Sequence, residues 1–213
     1  MMHIISQRVN TIKDLSRVDY THGIEIDIRY HDDDLILYHD PFHTKDDSPE
    51  KFEDLLAEYV KNHTGTIILN IKTEGVESRC ISLMNKYNYT NWFFLDLSMP
   101  YFVIYSNKAA SKEIAGFTPD NLAVRFSEFE PIEYALSFEG KVRWVWVDCF
   151  TKMPLTQDNA RKLKDANFKL CLVAPELQKH DIDRAVEFQK ILQNNNIKLD
   201  AVCTKKPELW KTK

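Results

Sequence analysis

Gly23-Ile24-Glu25-Ile26-Asp27-Ile28-Arg29 alternates isoleucine with charge from end to end. Side chains of an extended strand point to opposite faces in turn, so Glu25, Asp27 and Arg29 share one face and the isoleucines the other. The isoleucine face calls for a covering layer of helices. The charged face then looks into whatever the sheet encloses. Two carboxylates two residues apart in a low dielectric repel one another unless a cation neutralises them. A hard divalent cation with oxygen ligands, magnesium or calcium, does this best.

Outward from this strand the same texture repeats. Apolar runs rich in β-branched and aromatic residues occupy 3–7, 23–29, 66–72, 92–97, 122–126, 142–148, 168–173 and 201–205, eight candidate strands. Helix signals fill the spaces between them. Ser48-Pro49-Glu50 offers a capping hydroxyl, a first-turn proline and an acidic residue for the positive helix end. Phe52, Leu55, Leu56, Tyr59 and Val60 follow at helical spacing, as do Val76, Cys80, Ile81 and Met84 after the third strand. Within 181–192, Ile182, Ala185, Val186 and Ile191 predict another helix with one apolar face. Strands alternating with helices imply parallel βα units, and eight units predict a single α/β domain over 1–213, a (β/α)8 barrel of TIM type. The rival doubly wound sheet wants a glycine-rich turn after its first strand, and Gln7-Arg8-Val9-Asn10 has no glycine.

Composition narrows the function classes. With 44% hydrophobic residues the chain can bury a core, which excludes a disordered protein. A formal net charge of −4 gives no positive footprint for nucleic acid. No apolar stretch reaches the roughly 18 residues that cross a bilayer, so stable membrane insertion is not expected. The first residues show neither a basic nor an apolar signal region, and a cytoplasmic setting is the expectation. Cys80, Cys149, Cys171 and Cys203 form no C-x-x-C pair and are expected to be buried free thiols.

Parallel barrels work at the carboxyl ends of their strands. After Arg29 comes an acidic turn, Tyr30-His31-Asp32-Asp33-Asp34, and then Leu35-Ile36-Leu37-Tyr38-His39-Asp40. That run reads as a hairpin partner returning His39 and Asp40 to the same rim. Histidine is the natural proton carrier near neutral pH, and here a carboxylate follows it directly. Asp96 ends the fourth run, Arg125 and Ser127 close the fifth, Asp148 ends the sixth and Glu176 follows the seventh. Arg125 has the fork to clamp a phosphate, and Asp96 or Asp148 can supply charge or a proton. Trp144 and Trp146 share a strand face and read as core first, substrate contacts second. His22, His31, His43 and His63 fall in polar stretches and are expected to be solvated. No H-x-H or H-E-x-x-H spacing marks a zinc site. Lys72 at a strand end suits Schiff-base chemistry only with a depressed pKa, which nearby carboxylates oppose.

The order G-x-E-x-D, an acidic turn, then an apolar run ending H-D resembles the glycerophosphodiester phosphodiesterases of the phospholipase-C-like superfamily. The sphingomyelinase-D-like enzymes share that layout. Leu69-Asn70-Ile71-Lys72 is similar to the family's third-strand motif, a carboxylate two residues before a lysine. Leu199-Asp200-Ala201-Val202-Cys203-Thr204-Lys205-Lys206-Pro207 is similar to its last strand. The resemblance implies a divergent hydrolase that cleaves a small-molecule or lipid-derived glycerophosphodiester to a phosphomonoester and an alcohol. It implies a magnesium or calcium ion on Glu25, Asp27 and the amide oxygen of Asn70, with His39 as acid or base. Arg8, Lys72, Arg125, Asp96 and Asp148 would surround the substrate.

Two positions depart from the family pattern. Gln7-Arg8-Val9 stands where the family has H-R-G at the end of the first strand, and glutamine carries no proton near neutral pH. Asn70 stands in place of the third carboxylate and removes one negative charge. Losing one of two proton carriers lowers the rate by ~10²–10⁴-fold when nothing replaces it. A barrel that binds a phosphorylated ligand without hydrolysing it is therefore the alternative. Lys72-dependent carbonyl chemistry is a third reading.

Overall fold

The computed structural model describes residues 2–41 and 48–211. Its strands are β1 (His3–Ser6), β2 (Gly23–His31), β3 (Asp34–Leu37), β4 (Ile67–Ile71), β5 (Trp92–Leu95), β6 (Ala123–Phe126), β7 (Trp144–Val147), β8 (Lys169–Val173) and β9 (Ala201–Thr204). Between them lie α1 (Ile12–Leu15), α2 (Phe52–Asn62), α3 (Glu77–Lys86), α4 (Met99–Ser111), α5 (Ile132–Leu136), α6 (Gln157–Asp165) and α7 (Arg184–Asn194), and α8 (Pro207–Trp210) follows β9. β3 folds back antiparallel on β2, Leu37 opposite Ile28. The other strands are parallel, in the order β5-β4-β2-β1-β9-β8-β7-β6. The two ends of that order meet at a parallel bridge between Phe94 and Leu122, where Asn121 Nδ2 also donates to the Trp92 carbonyl at 2.9 Å. The chain is the expected (β/α)8 barrel, nearly closed, and each of the eight runs carries one parallel strand.

Alternation along the strands makes two cores. The outer faces, Ile24, Ile26 and Ile28 among them, pack under the apolar faces of α2 and α3 in one large cluster. The inner faces form a second cluster that includes Ile5, Ile68, Phe93, Trp144, Trp146 and Cys171. Phe93 and Trp144 stack across it at 4.9 Å, so both tryptophans are core. Full burial of one such side chain is worth about 1.5–3 kcal/mol. Gly23 is required where β2 meets β4: a Cβ there would lie 2.2 Å from the Thr66 carbonyl oxygen.

Several local expectations are corrected. Ser48 does not cap α2: Lys51 occupies its N-cap without a side-chain bond, and Glu50 instead accepts the Ile12 N–H at 3.0 Å. The buried face of α7 is Ala185, Phe188 and Leu192, while Ile182 and Val186 face solvent. The bulk of Phe188 sets that face. His22 and His63 are buried rather than solvated, His63 stacking on Tyr59 at 4.7 Å. Burial also pushes the His22 pKa down and favours its neutral form. His31 is exposed, and His43 lies outside the described residues. The four cysteines are buried free thiols. Among the described residues no helix is long and apolar enough to cross a membrane.

Candidate active site

Inside the barrel, polarity rises toward the carboxyl ends of the strands. On β4 the inward Ile68 gives way to Asn70, in register with Asp27 of β2. On β6 Ala123 gives way to Arg125, and on β7 Trp144 and Trp146 lead to Asp148. An apolar floor thus sits under a charged mouth.

Glu25 and Asp27 are each 1% exposed. Glu25 Oε1 accepts Asn70 Nδ2 at 2.8 Å, and its Oε2 accepts the Arg8 backbone N–H at 2.7 Å. Asn10 brackets Asp27, donating from Nδ2 to Oδ2 at 2.9 Å and accepting the Asp27 N–H at 2.8 Å. Arg8 Nε lies 3.8 Å from Asp27 Oδ2. Lys72 Nζ lies 3.5 Å from Asp27 Oδ1 and 3.8 Å from Asp96 Oδ2. Burial first, and the charge of Asp27 second, push the Glu25 pKa up to about 7. The hydrogen bonds from Asn70 and Arg8 and the charge of Lys72 act the other way and are outweighed. Arg8 (φ 58°) and Asp96 (φ 60°) are left-handed at the ends of β1 and β5. Such backbone costs about 1–3 kcal/mol and concentrates at functional sites.

The hairpin returns to this rim. The Tyr38 N–H donates to the Asp27 carbonyl at 3.0 Å. Arg29 ties the turn down, donating to the carbonyls of Tyr38 at 3.1 Å, His39 at 2.9 Å and Lys72 at 3.3 Å. His39 Nδ1 lies 2.7 Å from Asp40 Oδ1. That hydrogen bond, with the charges of His39, Arg8 and Arg29, holds the Asp40 pKa below the usual carboxylate value. A cavity of about 550 Å³ opens here, lined by Arg8, Asn10, Tyr38, His39 and Asp40 among others.

Across the mouth, Arg125 is the hub of three carboxylates. Its terminal nitrogens bond Asp96 and Asp148, and its Nε lies 3.3 Å from Glu130 Oε1. Gln178 and the Trp146 indole N–H also donate to Asp148, whose pKa burial raises against the pull of Arg125. The fork expected to clamp phosphate is thus occupied by carboxylates. Glu176 Oε1 accepts the Thr204 hydroxyl and, at 3.1 Å, the Lys205 N–H.

The structure brings Arg8, Glu25, Asp27, Asn70, Lys72, Asp96, Arg125 and Asp148 into one contact-linked network. His39 stands beside it on the hairpin, and Gln7 follows β1 next to Arg8. Sequence reasoning missed Asn10, Glu130 and Gln178. Asn10 sits in a loop without periodicity. Glu130 had one local signal, three residues beyond a serine, and Ser127 Oγ does donate to its carboxylate at 2.7 Å.

Gln7 Oε1, Asp27 Oδ1 and Asn70 Oδ1 are buried acceptors without a hydrogen-bond partner among the described residues. Unpaired buried oxygens are costly, and a hard cation would satisfy them. Among the described residues no group of three or more His, Cys, Asp or Glu is placed to hold a metal. The oxygen donors that could hold an ion at this rim are the carboxylates of Glu25 and Asp27 and the amide oxygen of Asn70, fewer than a closed cage requires.

No protein-family model matches the chain, and no curated protein matches it. Solved structures do. A candidate glycerophosphodiester phosphodiesterase from Galdieria sulphuraria superposes with TM-score 0.68 at 15% identity, covering 99% of this chain and 96% of that one. The glycerophosphodiester phosphodiesterase of Agrobacterium tumefaciens gives 0.67 at 12% identity, with 99% of both chains covered. A mutant tryptophan synthase α-subunit from Pyrococcus furiosus gives 0.58 at 11% identity over 95% of this chain and 86% of that one. Identities this low carry the fold and leave the chemistry to the site residues. The chain has the barrel fold of the glycerophosphodiester phosphodiesterases.

Proposed function

We propose that this protein is a metal-assisted phosphodiester hydrolase acting on a glycerophosphodiester. The observation that carries the proposal is the buried Glu25–Asp27 pair at the barrel mouth, beside an Asn70 amide oxygen with no hydrogen-bond partner among the described residues and an Asp27 Oδ1 met by Lys72 Nζ at 3.5 Å without a hydrogen bond. Magnesium or calcium on Glu25, Asp27 and the Asn70 amide oxygen would neutralise the pair and polarise a phosphoryl oxygen. Lys72 and Arg8 draw the anionic diester to the mouth. Asp40 engages His39 Nδ1 and leaves Nε2 for proton transfer. Water oxygen bonds to phosphorus, the phosphorus–oxygen bond to the alcohol breaks, His39 Nε2 protonates the leaving oxygen, and the proton shed by the attacking water passes to bulk solvent, from which His39 regains its own. Gln7 takes no proton from the attacking water, so turnover is expected ~10²–10⁴-fold below a two-histidine site. The buried free thiols support a reducing, cytoplasmic setting.

The test is hydrolysis of a panel of glycerophosphodiesters with magnesium or calcium, in wild type and His39→Ala. Turnover that disappears in the variant supports the proposal; equal inertness of both sinks it. Gln7 and Asn70 favour a second reading, a barrel that binds the phosphorylated ligand and releases it intact. Calorimetry showing tight binding without turnover selects that reading. A gain of turnover in Gln7→His would show that the remaining groups stand in working geometry.

A further inference from the structure

The barrel mouth is divided by chemistry. Around β1, β2 and β4 it carries Arg8, His39, Asp40 and Lys72. On the other side, the connections leaving β5, β6, β7 and β8 each expose a large apolar side chain: Met99 (50%), Phe129 (71%), Phe150 (36%) and Ile182 (45%). These connections are neighbours, since β6, β7 and β8 pair in turn and β5 meets β6 at the seam. Contacts join this apolar arc to the site. The Phe129 and Phe150 rings are 6.0 Å apart, and the Arg125 guanidinium lies 5.8 Å from the centre of the Phe150 ring. Met99 Sδ accepts the Tyr134 hydroxyl at 3.4 Å.

The arc is also held in place. Glu128 accepts the backbone N–H groups of Phe150, Thr151 and Lys152, stitching the β6 connection to the β7 connection. Ser127 Oγ accepts the Phe129 N–H at 3.1 Å and donates to Glu130. Arg184 donates to the Thr151 carbonyl at 3.1 Å, and His180 Nε2 lies 3.2 Å from the Cys149 carbonyl oxygen, which fixes the β8 connection to its neighbour. Single exposed apolar residues are ordinary. Apolar side chains on four adjacent connections, two of them aromatics tilted against one another and one of these, Phe150, facing a site arginine, give one side of the mouth an apolar border beside the charged one.

We infer that the substrate of this site is an amphiphile, a phosphodiester with one long apolar chain lying over Met99, Phe129, Phe150 and Ile182. The inference rests on the hydrolase reading and names its substrate class. The phosphate belongs to the cationic half of the mouth, and the chain crosses past Arg125, whose guanidinium already packs on the Phe150 ring. Each methylene fully covered by protein tightens binding about fourfold, so two or three covered methylenes exceed tenfold.

The experiment uses the full chain with magnesium or calcium and glycerophosphate diesters of methyl, hexyl and decyl alcohol, all below micelle-forming concentration. KM should fall at least tenfold from methyl to decyl. That ratio should collapse severalfold toward one in Phe129→Ser and in Ile182→Ser, whose exposed side chains are dispensable for folding. Equal KM across the series, or variants that keep the full ratio, overturns the inference while leaving the hydrolase reading intact. A chain-length effect seen only when phosphatidylcholine vesicles are added also overturns it, because the arc would then dock on a bilayer. If no diester is cleaved, the hydrolase reading fails, and calorimetric binding of decyl against methyl diester still decides the chain preference.

Discussion

Glu25 should make the metal-free protein less stable as the pH rises toward neutrality. Its folded pKa is raised from 4.5 to about 7, because burial and the Asp27 charge disfavour the ionised form. Below 4.5 folded and unfolded chains both hold the proton and the stability is complete. Between 4.5 and about 7 the unfolded chain releases it while the folded one keeps it, so stability falls with rising pH. The gap is worth about 3 kcal/mol at most. Urea unfolding of wild type and Glu25→Gln in EDTA, from pH 5 to 8.5, measures it. The variant loses one of the two hydrogen bonds from Arg8 and Asn70, a roughly pH-independent offset of about 1 kcal/mol. His22, held neutral by burial, contributes with the opposite sign, while Asp148 and Glu77, raised by burial, share the sign of Glu25. Subtracting the variant removes all three. The difference curve should decline by up to about 3 kcal/mol and flatten when excess magnesium or calcium favours the ionised carboxylate. Parallel curves for wild type and Glu25→Gln in EDTA would refute the reasoning.

Arg125→Met should cost about 3–5 kcal/mol in urea unfolding, because Asp148, 2% exposed, would keep only Gln178 and Trp146 as side-chain partners. Asp148→Asn in the same chain should recover much of that, and a loss under about 1 kcal/mol for the single variant would deny the hub its structural role. Gly23→Ala should destabilise by about 2–3 kcal/mol or abolish folding, since its Cβ would sit 2.2 Å from the Thr66 backbone oxygen. A melting curve like that of the wild type would contradict the close approach of β2 and β4.

The barrel was legible because strand alternation is strict where two cores must be filled. The isoleucines of β2 had to face helices, and so Glu25 and Asp27 had to face inward. The hairpin placing His39 was legible for the same reason, an apolar run after an acidic turn. Arg29 was placed on the charged face correctly, but nothing local says that its fork will hold three carbonyls of two different connections. Phe188 overrides Val186 on α7 because helical spacing gives a period and not a phase; which side is covered depends on the neighbouring strands. His22 and His63 looked like loop histidines, yet Gly23 and Gly65 bring β2 and β4 so close that the residues beside them are enclosed. The partners of Arg125 come from three separate connections, and no spacing in one stretch encodes that meeting.

On the proposed reading, charge balance decides how an acidic site would accept an anion. Arg8, Lys72 and Arg125 are linked by contacts to Asp27, Asp96, Asp148 and Glu130, and Glu25 joins them through Asn70 and the Arg8 backbone. With every group ionised, the carboxylates exceed the cations by two charges. A raised Glu25 pKa relieves one of them by keeping a proton, and it leaves nothing over for a phosphodiester. Glu25, Asp27 and the Asn70 amide oxygen, if they held a divalent ion, would have both negative charges cancelled at once, Glu25 would give up that proton, and Lys72 would be free to turn from Asp27 toward phosphate oxygen. A monovalent ion would leave the network negative, and Asn70 in place of a carboxylate keeps the deficit at the value a single divalent ion cancels. On the proposed hydrolase reading, ion binding and the admission of an anionic substrate would be one electrostatic event, and loss of the Glu25 pH slope on adding metal would report its first half.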